Sequence, residues 1–312
     1  MVCSQSIDST QNKKHQITWA DSTSLHETPL FQLIDSLIQM PDLLEEGSSL
    51  VTRLGYTSNV MASNLGFGLN QFGLSPGLTY YHKTGLYADA TTYWSQLYSP
   101  SLYLTVGSLG YLKSIKKWTF NVEYSRYFYS LTDSAYNSPY TNTVSMSNFL
   151  NVKPFMFRLD YSLYFGGKTA NRITPTVMLN FEKKKWLGMD RLFFYPSFSV
   201  QMGNESWLTQ HYKFYSTQPA DILYRIKHNQ PLYYLQNINN SAFGVLNYVV
   251  SLPLSVSIKN YSFQLNYSYY FPQALPHEPV GLNNSGFVSM NLIRYLNFKS
   301  RSSSIDFYHF PK

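Results

Sequence analysis

Trp118-Thr119-Phe120-Asn121-Val122-Glu123-Tyr124-Ser125-Arg126-Tyr127-Phe128 alternates large apolar and small or polar residues with a period of two. Trp118, Phe120, Val122, Tyr124 and Phe128 share one face, while Thr119, Asn121, Glu123, Ser125 and Tyr127 share the other. Successive side chains of a strand point to opposite faces, so this pattern specifies a strand with one apolar and one wet side. Phe155 to Phe165 and Tyr261 to Phe271 repeat it. Stretches of about ten residues have the length at which a tilted strand crosses a bilayer.

Composition fits that reading. Of 312 residues 13% are charged and 17% aromatic, with 28 Tyr and 21 Phe. Mean hydropathy is −0.24, too polar for a helical membrane protein. No run approaches the roughly 20 apolar residues of a spanning helix.

Extending the period along the chain gives strands at 50–62, 73–82, 86–96, 100–113, 118–130, 143–153, 155–166, 172–183, 191–203, 243–258, 261–272 and 285–298. The expected fold is all-β, a transmembrane antiparallel up-and-down barrel of about twelve strands with a short N-terminal helix. Its parts are a leader at 1–27, a helix and linker at 28–48, the barrel at 49–299 and a tail at 300–312. In the helix, Thr28 is the cap, Pro29 takes the first turn, and Leu30, Leu33, Ile34 and Leu37 share a face. Val2-Cys3-Ser4-Gln5 has the small residues of a signal-peptide cut before Gln5, so residues 1–4 are expected to be the remnant of a signal peptide that starts upstream of Met1. Acylation of Cys3, as in a lipoprotein, is the weaker alternative.

Connection lengths sort by parity. The even-numbered connections are short: Lys83–Gly85, Ser114–Lys117, Lys153-Pro154, Lys184–Asp190 and Lys259-Asn260. Most odd ones are longer, at 63–72, 131–142, 204–242 and 273–284. Short periplasmic turns and long outer loops distinguish outer-membrane barrels. The formal charge of +7 sorts the same way: Lys83, Lys116, Lys117, Lys153, Lys183, Lys184, Lys185 and Lys259 gather at the short-turn end. They are expected to face lipid, as a ring beside anionic headgroups. Nucleic acid would instead require one basic face with stacking aromatics between the charges.

Trp118, Phe128, Tyr129, Tyr164, Phe165, Trp186, Tyr261, Tyr269, Tyr270 and Phe271 stand at strand ends and are expected to form the interfacial aromatic girdles. Glu123, Arg158, Asp160 and Glu182 fall mid-strand on wet faces and are the candidate lumen charges; the parity of Arg126 puts it on the apolar side. Twelve strands lie between the ~8 that fill with side chains and the ~16 that enclose an open channel.

Arg53-Leu-Gly-Tyr-Thr-Ser-Asn-Val60, Phe72-Gly-Leu-Ser-Pro-Gly-Leu-Thr-Tyr-Tyr-His-Lys-Thr-Gly-Leu-Tyr-Ala-Asp89 and Ser108-Leu-Gly-Tyr111 carry a family likeness. On them, the first third of the barrel resembles a group of uncharacterised outer-membrane barrels of the Bacteroidota type, in which a leader ending in Ser-Gln is also common. The resemblance implies the fold and no activity.

No catalytic pattern holds. Gly73-Leu74-Ser75-Pro76-Gly77 has nucleophile-elbow spacing, but strand-like residues follow where that motif requires a helix. The seven His lack the neighbours seen in barrel phospholipases and omptins, and neither metal nor cofactor is expected. The expected role is structural, accessory or that of a narrow channel in the outer membrane, after insertion by the barrel-assembly machinery. A lipid-modifying hydrolase and a surface glycan-binding β domain remain as alternatives. Loop 204–242, rich in Tyr, suits a folded lid, a surface for a protein partner, a carbohydrate platform or simple packing over the barrel mouth.

Overall fold

The computed structural model describes residues 47–58, 72–96, 98–130, 140–275 and 284–299, with side chains except at 205–211, 235, 237–240 and 299. The strand segments are β1 (Gly47–Thr57), β2 (Gly73–Tyr81), β3 (Leu86–Trp94), β4 (Leu102–Ile115), β5 (Trp118–Tyr129), β6 (Tyr140–Val152) and β7 (Phe155–Gly166). They continue as β8 (Ala170–Leu179), β9 (Phe181–Trp186), β10 (Met189–Phe194), β11 (Ser197–Phe214), β12 (Tyr233–Ile258), β13 (Tyr261–Pro272) and β14 (Ser285–Lys299). A helix, α1 (Pro219–Lys227), lies between β11 and β12.

Segments pair antiparallel with their sequence neighbours, except that β8 pairs with β11 and β10 with β12 where β8–β9 and β10–β11 do not pair, and β1 pairs with β14 from Gly47↔Lys299 to Thr57↔Ser289. The sheet therefore closes on itself and leaves no free edge in the wall. Fourteen segments make twelve spans because β8 runs into β9 and β10 into β11 in one register. Met178 faces Ser197 and, beyond the break at Asn180 and Tyr195, Phe181 faces Phe194. Across the break, the Leu179 amide donates to the Pro196 carbonyl and the Tyr195 amide to the Pro253 carbonyl. The result is a closed twelve-strand antiparallel barrel.

The sequence-derived strands overlap these spans, with 59–62 outside the described residues, and the short connections are found except that Lys184–Asp190 tightens to Leu187-Gly188 between β9 and β10. At the turn end β4 passes to β5 through Lys116-Lys117, β6 to β7 through Lys153-Pro154, and β12 to β13 through Lys259-Asn260. Lys116 and Lys259 take positive φ, 55° and 52°, as a two-residue hairpin requires of its first residue. The opposite end is the loop end.

Loop 204–242 is corrected. β11 leaves β8 after Gly203↔Arg172, and β12 leaves β13 after Asn247↔Pro272. The two strands go on pairing with each other from Asn204↔Phe243 to Phe214↔Tyr233. At the usual strand rise this two-stranded ribbon is roughly 35 Å long. α1 caps it and has no buried residue. A single ring also replaces the two stacked sheets that a glycan-binding sandwich requires. The leader, Cys3, the helix expected from Thr28 to Leu37 and the tail from 300 lie outside the described residues.

Candidate functional site: the filled lumen and its lower mouth

The two faces of the wall have opposite chemistry. Leu54, Leu109, Val122, Phe157, Leu159, Phe198, Leu252, Phe263 and Leu292 point outward and are exposed. This apolar surface continues around the ring, whereas a soluble monomer keeps to a largest patch of about 300–600 Å². Arg53, Asp89, Glu123, Arg158, Asp160 and Arg172 point inward and are each 4–8% exposed.

The lumen is filled in layers. Nearest the turn end, Val51, Tyr81, Tyr87, Leu112, Phe149, Met156, Met178, Phe193, Tyr195, Ile293 and Tyr295 form one apolar cluster. Toward the loop end, Tyr93, Tyr98, Tyr103, Leu104, Val106 and Tyr127 form another, and Tyr140, Tyr164 and Ala170 a third.

Between them lies a polar layer in which the charges meet partners. Arg53 Nη2 contacts Asp89 Oδ1 at 2.5 Å and donates to Thr91 Oγ1 at 2.9 Å. Thr79 and Thr91 also donate to the Asp89 carboxylate. The Tyr87 hydroxyl donates to Glu123 Oε2 at 2.5 Å, and Ser125 donates to Glu123 Oε1 at 2.7 Å. Arg158 Nε lies 2.7 Å from Asp160 Oδ2. A buried charge costs several kcal/mol unless it is paired and hydrogen-bonded, which this arrangement provides.

Glycine makes the pairing possible. Gly77 stands opposite Arg53, and a Cβ there would come within 2.7 Å of Thr91 Oγ1 and 3.0 Å of Arg53 Nη2. Gly110 stands opposite Tyr87, whose ring lies 2.3 Å from where a Cβ would be. Each long inward side chain lies flat over a neighbour that has none.

Of the expected lumen charges, Glu123, Arg158 and Asp160 lie in the polar layer. Glu182 is not mid-strand. It lies in the β9–β10 hairpin at the turn end, 2.8 Å from Arg191, 3.4 Å from Lys153 and 3.8 Å from Lys184. Arg53 and Asp89 were not anticipated, although each is a lone charge in an expected strand, two strands apart. Arg126 faces outward over the Phe128 ring, at 5.4 Å.

The girdle needs three corrections. Trp118, Phe128, Trp186, Tyr261 and Phe271 are exposed, and Phe165 and Tyr269 are half-buried. Tyr164 and Tyr270 are buried inside the ring, and Tyr129 packs against the upper cluster with its hydroxyl on the Tyr140 carbonyl. Adjacent residues of a strand take opposite faces, so each aromatic doublet sends one ring out and one in.

The basic ring is corrected too. Lys83 and Lys259 are exposed on their turns, Lys185 is exposed at φ 51°, and Lys183 lies over the Trp186 ring at 4.9 Å. Lys116, Lys117, Lys153 and Lys184 instead line a cavity of about 230 Å³ in the lower mouth. Glu182, held inside the mouth, draws Lys153 and Lys184 toward it.

Ser75 lies in β2, paired with Gly55, with no helix after it. His82 contacts Thr84 at 2.8 Å and His228 the Tyr224 carbonyl at 2.8 Å, neither as part of a triad. No group of three His, Cys, Asp or Glu suited to a metal occurs among the described residues.

No family model and no curated protein matches the chain. Solved structures with a similar course include the NanC porin, at 11% identity over 79% of this chain and 99% of that one, TM-score 0.42. The translocator domain of the autotransporter NalP from Neisseria meningitidis gives 13% identity over 90% and 99%, TM-score 0.40. A bacterial polysaccharide outer membrane secretin gives 8% identity over 80% and 99%, TM-score 0.38.

Proposed function

We propose that this chain is an integral outer-membrane barrel with a structural or accessory role, non-enzymatic, its lumen filled by its own side chains. The observation that carries the reading is the inversion of the wall, with apolar side chains exposed around the ring and paired charges buried within it. In water that arrangement exposes apolar surface without return; in a bilayer it puts hydrocarbon against hydrocarbon. From Phe155 to Phe165 is ten residue steps of β7, which at the usual tilt rises about 25 Å, the height of an outer-membrane apolar band. The turn end then faces the periplasm. The β11–β12 hairpin stands outside as the surface offered to a protein partner, and insertion falls to the barrel-assembly machinery.

A narrow channel is the second reading. Serines 199, 251, 268 and 289, with Asn266 and Asn291, line a cavity of about 60 Å³ beside Arg158, a polar flank that water can enter. Purified protein in a planar bilayer separates the two. A silent bilayer is the expected result for a filled barrel, and reproducible conductance steps establish the channel instead. The fold itself is checked on a detergent gel, where the unboiled protein should migrate differently from the boiled one.

A further inference from the structure

The lower-mouth cavity has a composition that the filled-barrel reading does not use. Its lining brings together five cations, Lys116, Lys117, Lys153, Lys184 and Arg191, and one carboxylate, Glu182. That carboxylate is already shared by Arg191 at 2.8 Å, Lys153 at 3.4 Å and Lys184 at 3.8 Å. One negative charge among five positive ones leaves the mouth strongly electropositive. The Glu182 and Arg191 side chains are only 13% and 21% exposed, so the pair forms a fixed inner wall. Lys153 and Lys184, 68% and 65% exposed, are solvent-facing donors at the rim.

The floor is different. Phe149, Met156 and Phe193 close it with apolar surface. The side-chain oxygens of Asn151 and Asn180, in the same lining, are buried and have no hydrogen-bond partner. Cations on one side and an apolar floor on the other match a ligand carrying a multiply charged anion on a short carbon skeleton. At about 230 Å³ the cavity is smaller than a drug-sized site.

We propose that the turn-end mouth binds the phosphate group of a small organic phosphate, with Lys153, Lys184 and Arg191 as its principal donors. A phosphate dianion brings a second negative charge and a third acceptor oxygen, which five cations around one carboxylate leave room to balance. The group can belong to a free phosphomonoester or to a lipid headgroup reaching over the rim. The inference depends on the barrel geometry alone and stands whether or not the lumen conducts.

The test is calorimetric titration of the full chain, folded in neutral detergent free of lipid, with inorganic phosphate and with glycerol 3-phosphate. Saturable binding of both is expected, the organic phosphate more tightly. Lys153→Gln with Lys184→Gln should weaken it about tenfold or more, since two charge-assisted contacts go. Lys153→Arg with Lys184→Arg should retain it. Lys83→Gln with Lys259→Gln, on turns outside the cavity, should leave it unchanged. Gel migration of each variant verifies the folded barrel. Absence of saturable binding by the wild-type chain overturns the proposal, as does equal loss in both glutamine pairs. Addition of phosphatidylglycerol then identifies the source: competition points to a lipid headgroup, and undisturbed binding to a soluble phosphate.

Discussion

Tyrosine lives two different lives in this chain. In the ring, Tyr81, Tyr87, Tyr93 and Tyr103 are 0–7% exposed, packed inside the lumen. On the ribbon beyond it, Tyr212 and Tyr233 are 70% and 52% exposed. The strands themselves are continuous, since β11 and β12 belong to both regions. What differs is the number of neighbours. Each wall strand has a partner on both sides and an interior to face, whereas the ribbon strands have only each other. Closure of the sheet, more than the identity of the side chain, decides what is buried. Two-stranded ribbons are marginal on their own, so the ribbon draws its order from the ring below it.

If closure is what matters, the largest effect should come from breaking a contact that bridges β1 and β3 across β2 inside the ring. Arg53→Ala leaves Asp89 buried without its cation and strips Thr91 of a donor. A loss of about 3–5 kcal/mol is expected for an orphaned buried charge. Urea unfolding in detergent micelles, followed by Trp fluorescence, should show the midpoint falling accordingly. A change under 1 kcal/mol would mean that water reaches the polar layer freely and that the lumen is not filled as described.

The outer face gives the next test. Leu109, midway along β4, is 63% exposed. In a soluble protein Leu109→Arg would be nearly neutral, because surface substitutions stay within about 0.5 kcal/mol. At a bilayer midplane the same change costs about 2–4 kcal/mol. Folding into lipid vesicles, measured by gel migration against urea, should show that penalty for Leu109→Arg. It should show almost none for Leu223→Arg on α1, which is 67% exposed outside the wall. Equal effects at the two sites would remove the membrane assignment and keep the barrel.

The ring was legible in the sequence because three independent signals agree there. The period of two gives the faces, the two-residue turns give the ends, and Lys116, Lys153 and Lys259 mark those turns. The ribbon looks like a loop in the sequence for a physical reason. A half-buried strand announces itself by alternation, and residues 212–215 and 233–234 are not buried on either face. The misplaced Tyr129, Tyr164 and Tyr270 come from reading doublets as one interfacial unit, where parity alone already sends one ring of each inward. The mouth cavity was the least legible. Glu182 gathers lysines from two different hairpins, and sequence spacing carries no trace of who meets whom across a lumen.

Removing the ribbon should have the smallest effect. Glu205 and Ala242 face each other, so replacing 206–241 with Asn-Gly joins them by a two-residue turn whose positive φ values suit the strand twist. The wall contacts of β11 with β8 end at Gly203 and those of β12 with β13 at Asn247, both below the cut. The shortened protein should therefore refold with unchanged gel migration and a urea midpoint within about 1 kcal/mol of the full chain, since α1 and the described ribbon side chains bury little. A loss comparable with that of Arg53→Ala would show that the ribbon folds back onto the ring and helps to hold it shut. An unchanged barrel leaves the ribbon's exposed aromatics with no part in stability, which makes binding the reason to look for first.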